Sequence, residues 1–298
     1  MTPVPPECLC GTENFCFKSL DERGGVRWGR RFDCRLLPQL RATGLTDSDA
    51  KRAPPAAKQV GGNESEWTPV FVTSVSSNHF REARAFVRNI RAHYPRARLL
   101  LFDIGMKPNE ASFLSFVLFI ARTKEARSWC KVEVRAFNFS RYPPHVARLQ
   151  TYAFKLAIVE AFQEHKTFFY FDSSIRINGS NLHEFLRAVR AGELPPHQTV
   201  PKTIHSVWAT MDPGMRVFLP LPLIVAQMWE LQSPTFLTDA PYTRHVLKWW
   251  LLCAWTRECI DPPGAVVKCR PKEFFDLRRT WIGCHRYDQA GIPQRWPL

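Results

Sequence analysis

Residues 167–177 read TFFYFDSSIRI: an apolar, aromatic run that stops at Asp172 and two serines before apolar character resumes. Large apolar residues in succession, with no polar residue among them, predict a strand buried on both faces, as the central strand of a parallel sheet is. Asp172 then falls at the carboxyl end of that strand, where the loops of an open α/β sheet converge and bind ligands. A carboxylate beside two hydroxyls suits a hard divalent cation, which takes oxygen ligands and leaves positions for phosphate oxygens. A lone Asp there can equally end the strand and cap the turn that follows.

Outward from this strand the pattern alternates, starting at Trp67. PVFVTSV (69–75), ARLLLFDIG (97–105) and KVEVRAF (131–137) read as strands, while 80–93, 109–122 and 148–164 read as helices, the last leading into the 167–172 strand. Strict alternation implies right-handed crossovers, hence an α/β fold with a mainly parallel, Rossmann-like sheet flanked by helices. Beyond the central strand, 199–211 reads as a strand, and 222–231 and 242–256 as helices. Two other strands end in polar residues: Ser74, Ser76, Ser77, Asn78 and His79 follow the first, and Asp103 closes the second. Together with Asp172 these ends would make a polar crevice on one rim. Lys155 is the only charge in YAFKLAIV (152–159), and a lysine on a largely buried helix is costly unless paired or solvated. It reads either as a snorkelling side chain or as a partner for Asp172 or for a diphosphate.

The chain has 298 residues, 45% hydrophobic and 23% charged, which is ordinary globular composition with room for a sizeable core. Its longest apolar stretch, FLSFVLFIA (113–121), falls far short of the ~20 residues of a membrane span, and MTPVPPECLC lacks the basic start and apolar core of a secretory signal. Nine cysteines and glycosylation sequons at Asn63, Asn138 and Asn178 nevertheless fit a secretory-pathway protein, so an upstream anchor in a longer form is the expectation. A net charge of +14 admits nucleic acid, anionic membrane or a phosphate-bearing substrate. The clearest basic stripe, Arg81, Arg84, Arg88 and Arg91, lies at helical spacing beside Phe80, Ala83, Val87 and Ile90, which reads as a solvated helix face. No zinc-finger spacing, aromatic RNP-like strand or basic heptad accompanies it, so nucleic-acid binding stays a secondary alternative and none is expected.

Residues 1–66 are rich in Pro, Gly, Arg and Cys and read as an irregular, loosely ordered stem and linker ahead of one domain at 67–298. Cys8, Cys10, Cys16 and Cys34 suit disulfides better than a zinc ribbon, because a second close pair is lacking. Cys253, Cys259, Cys269 and Cys284 suggest two more disulfides, with zinc the weaker alternative. Cys130, alone in its region, is expected to be a buried free thiol.

Five segments taken in order, SVSSNHF (74–80), RYPPHVARLQTYAFKLAIVEAF (141–162), FFYFDSSIRI (168–177), CAWTRECIDPPGAVVKC (253–269) and CHRYDQAGI (284–292), resemble an animal family of undefined activity, abundant in nematodes, with glycosyltransferase-like domains. The likeness spans roughly residues 67–292. It implies the GT-A fold of nucleotide-sugar transferases and a type II Golgi membrane protein with a luminal domain. Asp172 matches the first acid of the Asp-X-Asp motif that holds manganese or magnesium against the nucleotide diphosphate, and Ser174 stands where the second acid would be. Asp288 and Gln289 resemble the Asp-Gln element that lies beside the transferred sugar; a helix N-cap is the structural alternative for Asp288, and His285 reads first as a core histidine. Such enzymes continue past this element, so the end at QRWPL reads as a truncated form.

On this reading a nucleoside diphosphate sugar is the donor, and a glycan, lipid or protein is the acceptor of a hexosyl transfer. Ser74, Ser76, Asn78 and Asp103 would meet the nucleoside, Lys155 or Arg176 would share the diphosphate charge, and Asp288 would orient or deprotonate the acceptor. A GT-A-like luminal domain that binds without turning over is the competing expectation.

Overall fold

The computed structural model describes residues 2–21, 23–53, 68–110, 132–179, 182–199, 202–221, 229–231, 235–268, 281 and 283–287. A six-stranded sheet organises them. β1 (Val70–Val75), β2 (Arg98–Asp103), β3 (Val132–Ala136) and β4 (Thr167–Tyr170) run parallel, and β5 (His197–Thr199) and β6 (Thr235–Thr238) extend the sheet beyond β4. The spatial order is β3-β2-β1-β4-β6-β5, with β6 antiparallel to both of its neighbours. The order therefore reverses between β1 and β4, which pair through Phe71 with Phe169 and Val72 with Tyr170. A reversal of this kind opens a crevice at the carboxyl ends of the two strands.

Among the described residues, α1 (Phe80–His93), α2 (Ala157–Glu164), α3 (Leu182–Arg190) and α4 (Pro241–Trp255) cover the sheet. Successive strand residues point to opposite faces. Phe71, Leu99, Leu101, Phe169 and Phe171 accordingly pack with Ala83, Phe86, Val87 and Ile90 of α1 and Leu186 and Val189 of α3. Val72, Leu100, Phe102, Phe168 and Tyr170 turn the other way, onto α2 and α4. Both faces of β4 are thus filled, which is why its sequence shows no polar alternation. The rings of Phe71, Phe169 and Phe171 lie 5.5–6.0 Å apart, and each such buried side chain contributes ~1.5–3 kcal/mol through apolar burial.

The cysteine-rich N-terminal segment is irregular and disulfide-bonded, with Cys8–Cys16 and Cys10–Cys34 bridges, but its described residues between 8 and 53 pack into the fold rather than standing apart as a loose stem. Phe15, Phe17, Phe32, Leu40 and Leu45 belong to the same core as Trp249 and Trp250 of α4. The Phe17 ring meets Trp249 edge-on at 5.5 Å, and Phe32 stacks on Phe218 at 5.1 Å. At Gly29 a Cβ would lie 2.0 Å from the Phe218 carbonyl oxygen, so only glycine permits this approach. Buried Lys248 of α4 closes the contact, with Nζ 2.6 Å from both Glu13 Oε1 and Asp47 Oδ1. Average composition hides these aromatic anchors among prolines and arginines. Residues 54–66, read as linker, and Trp67 lie outside the described residues.

Other elements depart from expectation. The helix expected over 148–164 is regular only from Ala157; before it stand two 3-10 turns, Leu149–Thr151 and Ala153–Leu156, separated by Tyr152 in the left-handed region. The strand expected over 199–211 ends at Ser206, whose hydroxyl accepts from Ala209 N–H at 3.1 Å and caps a short helix, Val207–Thr210. Residues Trp229–Leu231, expected as helix, form a strand that pairs with Lys202–Ser206. Most of the helix expected over 109–122, and Cys130 and Cys269, lie outside the described residues. Cys253 and Cys259 are bridged, and Cys284 is also disulfide-bonded. Among the described residues no helix is long and apolar enough to cross a membrane.

Candidate functional site

β1 and β4 deliver their polar ends to one place because both strands run parallel and stop at the same rim. After β1 the chain makes a single 3-10 turn, Ser77–His79, before α1 begins. Ser77 N–H donates to Gly105 O at 3.1 Å, which ties this turn to the end of β2. Within it Ser76 Oγ donates to Asn78 Oδ1 at 2.5 Å. After β4, Phe171 N–H still donates to Val72 O, and then Ile175 N–H donates back to Asp172 O at 2.9 Å, closing a tight turn through Ser173 and Ser174. The two turns face each other across a cleft of ≈ 380 Å³ lined by Ser74, Ser76, Asn78 and His79 on one side and Asp172, Ser173 and Ser174 on the other. Ile104, Leu149, Gln150, Tyr152 and Phe154 complete it.

Lys155 supports this cleft from behind. It is only 5% exposed, and its ammonium lies 3.2 Å from Asp172 Oδ1 and 3.4 Å from Oδ2. The Tyr152 and Tyr170 rings stand 5.5 and 5.9 Å from the same nitrogen, within cation–π range. Asp172 itself keeps 37% of its side chain exposed toward the cleft. Ser74 Oγ is buried and has no hydrogen-bond partner among the described residues. A buried hydroxyl left unpaired at a cleft wall is a donor and acceptor held ready for something that enters.

Of the residues singled out in the sequence, Ser74, Ser76, Asn78, Asp172 and Ser174 line the cleft, and Lys155 touches it through Asp172. Asp103 and Arg176 do not line it. The Asp103 carboxylate accepts from Gly105 and Met106 N–H at 2.9 and 2.7 Å, so it fastens its own turn. The Arg176 guanidinium is spent on backbone carbonyls, donating to Ser173, Ile175 and Glu82. Asp288 and Gln289 lie outside the described residues. His285 is buried in the core: its Nδ1 accepts from Asp212 N–H at 3.2 Å and its Nε2 donates to Ile260 O at 3.2 Å, and burial lowers its pKa. Tyr152, Phe154, Leu149 and Ile104 form an apolar wall that pattern reading assigned to helix and strand interiors.

The donor set does not by itself fit a divalent ion. Asp172 is a single carboxylate with a lysine ammonium already at its oxygens, Ser174 adds an uncharged hydroxyl, and among the described residues no three His, Cys, Asp or Glu side chains converge as ligands. Hard cations are held chiefly by several carboxylate or carbonyl oxygens. What the described residues offer is a cation–carboxylate pair, several hydroxyls and an aromatic wall.

No curated protein matches the sequence. Two solved structures of the galactosyltransferase LgtC are similar in part. One, in complex with donor and acceptor sugar analogs, is 13% identical with a TM-score of 0.34, over 59% of this chain and 60% of that one. The other, an active-site mutant, is 11% identical with a TM-score of 0.33, over 64% of this chain and 65% of that one. The chain thus spans less than two thirds of the length of either. A family model described as "Protein of unknown function (DUF1647)" matches residues 8–160, which run from the first N-terminal disulfide through β1, β2 and β3 into α2. That match covers just over half of the chain, which therefore belongs to the DUF1647 family.

Proposed function

We propose that the cleft between β1 and β4 is the donor site of a nucleotide-sugar-dependent glycosyltransferase of the GT-A kind. The observation that carries this reading is the Lys155–Asp172 pair set at the strand-order reversal of the sheet, opposite the Ser74–Asn78 turn. Parallel sheets bind nucleotides at this location, and the likeness of the Asp172–Ser174 turn to an Asp-X-Asp motif adds the chemical class.

In the transfer, the bond between the sugar's anomeric carbon and the diphosphate oxygen breaks, and the electron pair leaves with the diphosphate. The acceptor hydroxyl forms the new bond and gives its proton to a base, the role proposed for Asp288. Lys155 opposes the charge that develops on the leaving diphosphate. The exposed edge of Asp172 accepts from sugar hydroxyls while its other contacts hold Lys155 in place. Ser74, Ser76 and Asn78 meet the nucleoside. Manganese or magnesium at Asp172 and Ser174 is implied by the motif likeness alone, and no step here depends on it. A luminal, secretory location is supported by the disulfides and by the exposed sequon residues Asn138 and Asn178.

Thermal shift with a panel of nucleoside diphosphate sugars, in manganese and in EDTA, tests the reading. A donor at 100 times its dissociation constant stabilises by ~2.7 kcal/mol. We expect such a shift with one donor class and its loss in Asp172→Ala. Equal shifts in the mutant, or none with any donor, would refute the assignment. A donor shift without product formation from any acceptor would identify a binding domain.

A further inference from the structure

Tyr152 combines three features that packing alone does not explain. Its backbone is left-handed, at φ 56° and ψ 11°, a region disfavoured for residues that carry a Cβ. The residue is 38% exposed and lines the cleft. The ring also stands 5.5 Å from the Lys155 ammonium, which pairs with Asp172.

The backbone around it is firmly held. Tyr152 N–H donates to Leu149 O at 3.1 Å, and Lys155 N–H donates to Tyr152 O at 3.0 Å, so the left-handed residue is the joint between two 3-10 turns. An unstrained helix through this position would carry the side chain elsewhere. Strained backbone persists where surrounding structure over-determines it, and it clusters at ligand sites. Phe154, 5.9 Å away, buttresses the ring, and Ile104 and Leu149 continue the apolar wall. The lining thus joins an aromatic, apolar stretch to two turns that present hydroxyl, amide and carboxylate groups. Gln150, exposed on the apolar side, adds an amide able to read the edge of a planar ring.

From this geometry we infer that Tyr152 is a stacking platform for the nucleobase of the donor, turned into the cleft by its left-handed backbone and set one cation away from the diphosphate position. The inference rests on the donor-site reading above and specifies which wall takes the base. A base stacked on Tyr152 brings its phosphates toward Lys155 and leaves the sugar at Asp172. Base–aromatic stacking is tolerant of base identity, so Tyr152 supplies affinity for a nucleoside rather than choice among bases.

The test is calorimetric titration of UDP, GDP and inorganic pyrophosphate into the full chain and into two variants. Tyr152→Phe keeps the ring. Tyr152→Asn removes it with a residue that tolerates the left-handed backbone. The expected result is a loss of about tenfold or more for both nucleoside diphosphates in Tyr152→Asn, with pyrophosphate affinity unchanged and Tyr152→Phe close to the parent. Unchanged UDP and GDP affinity in Tyr152→Asn would overturn the inference, as would an equal loss for pyrophosphate. A parent protein that binds pyrophosphate as tightly as UDP overturns the platform and leaves the phosphate site standing. A parent that binds none of the three overturns the donor-site reading itself, and the platform with it.

Discussion

Replacing Lys248 by methionine should uncouple the N-terminal segment from α4. Lys248 is 1% exposed and bonds Glu13 and Asp47 at 2.6 Å each, and the Glu13 side chain is itself 8% exposed. Methionine fills the same volume and removes the cation, so the Glu13 carboxylate is left buried with one hydrogen bond, accepted from Asp47 N–H at 2.7 Å. Stranding one member of a buried ion pair costs ~3–5 kcal/mol. Asp47 can turn to water and Glu13 keeps that backbone donor, which places the expected loss near the lower end, about 3 kcal/mol. The assay is urea unfolding of Lys248→Met, Glu13→Gln and the double variant. Because the double variant has no stranded charge, it should regain more than half of the Lys248→Met loss. A Lys248→Met loss below about 1 kcal/mol, with no coupling in the cycle, would refute the account of residues 8–53 as part of the core.

Two further outcomes concern stability. His197 is buried and His245 partly buried, with pKa values pushed down to about 4, by desolvation in both and additionally by the Lys248 charge in His245; His245 Nε2 also accepts from Trp249 Nε1–H at 3.2 Å. The unfolded chain takes up these protons first, so their contribution is intact above pH ~6.5 and is lost between there and about 4, roughly 3 kcal/mol for each; stability that stays flat from pH 7 to 4.5 in urea titrations would contradict this. Removing the Cys10–Cys34 bridge, which closes a sequence separation of 24, should cost ~3 kcal/mol in the Cys10→Ser/Cys34→Ser variant measured the same way, and no change would show that the segment is held by packing alone.

Much of the fold was legible because β1 to β4 stand out as short apolar runs and α1 keeps the helical period: the helix read at 80–93 is Phe80–His93, and its buried stripe and arginine face separate as the spacing predicts. Where tertiary contacts override local pattern, reading failed. LQTYAFKLAIV has helical spacing, but its first half lines a cleft, and left-handed Tyr152 interrupts the helix. β6 is a four-residue strand whose identity depends on pairing with β4 on one side and β5 on the other. The N-terminal segment was obscured because its core side chains, such as Phe15, Phe17 and Phe32, are dispersed among turn formers. The parallel strand ends pointed to Ser74, Ser76, Asn78 and Asp172 as neighbours on one rim, and all four line the cleft. Asp103 and Arg176 were of the right type, but backbone groups take up their hydrogen bonds, which only coordinates reveal.

The most direct measurement of the central claim is a crystal structure of the full chain grown with UDP, GDP and their hexose conjugates. The account predicts density in the cleft, with a base on Tyr152, a diphosphate within hydrogen-bond reach of Lys155, and the sugar or its vacant position at Asp172. A nucleotide bound elsewhere on the protein, with the Ser74–Asn78 and Asp172–Ser174 turns untouched, would contradict it.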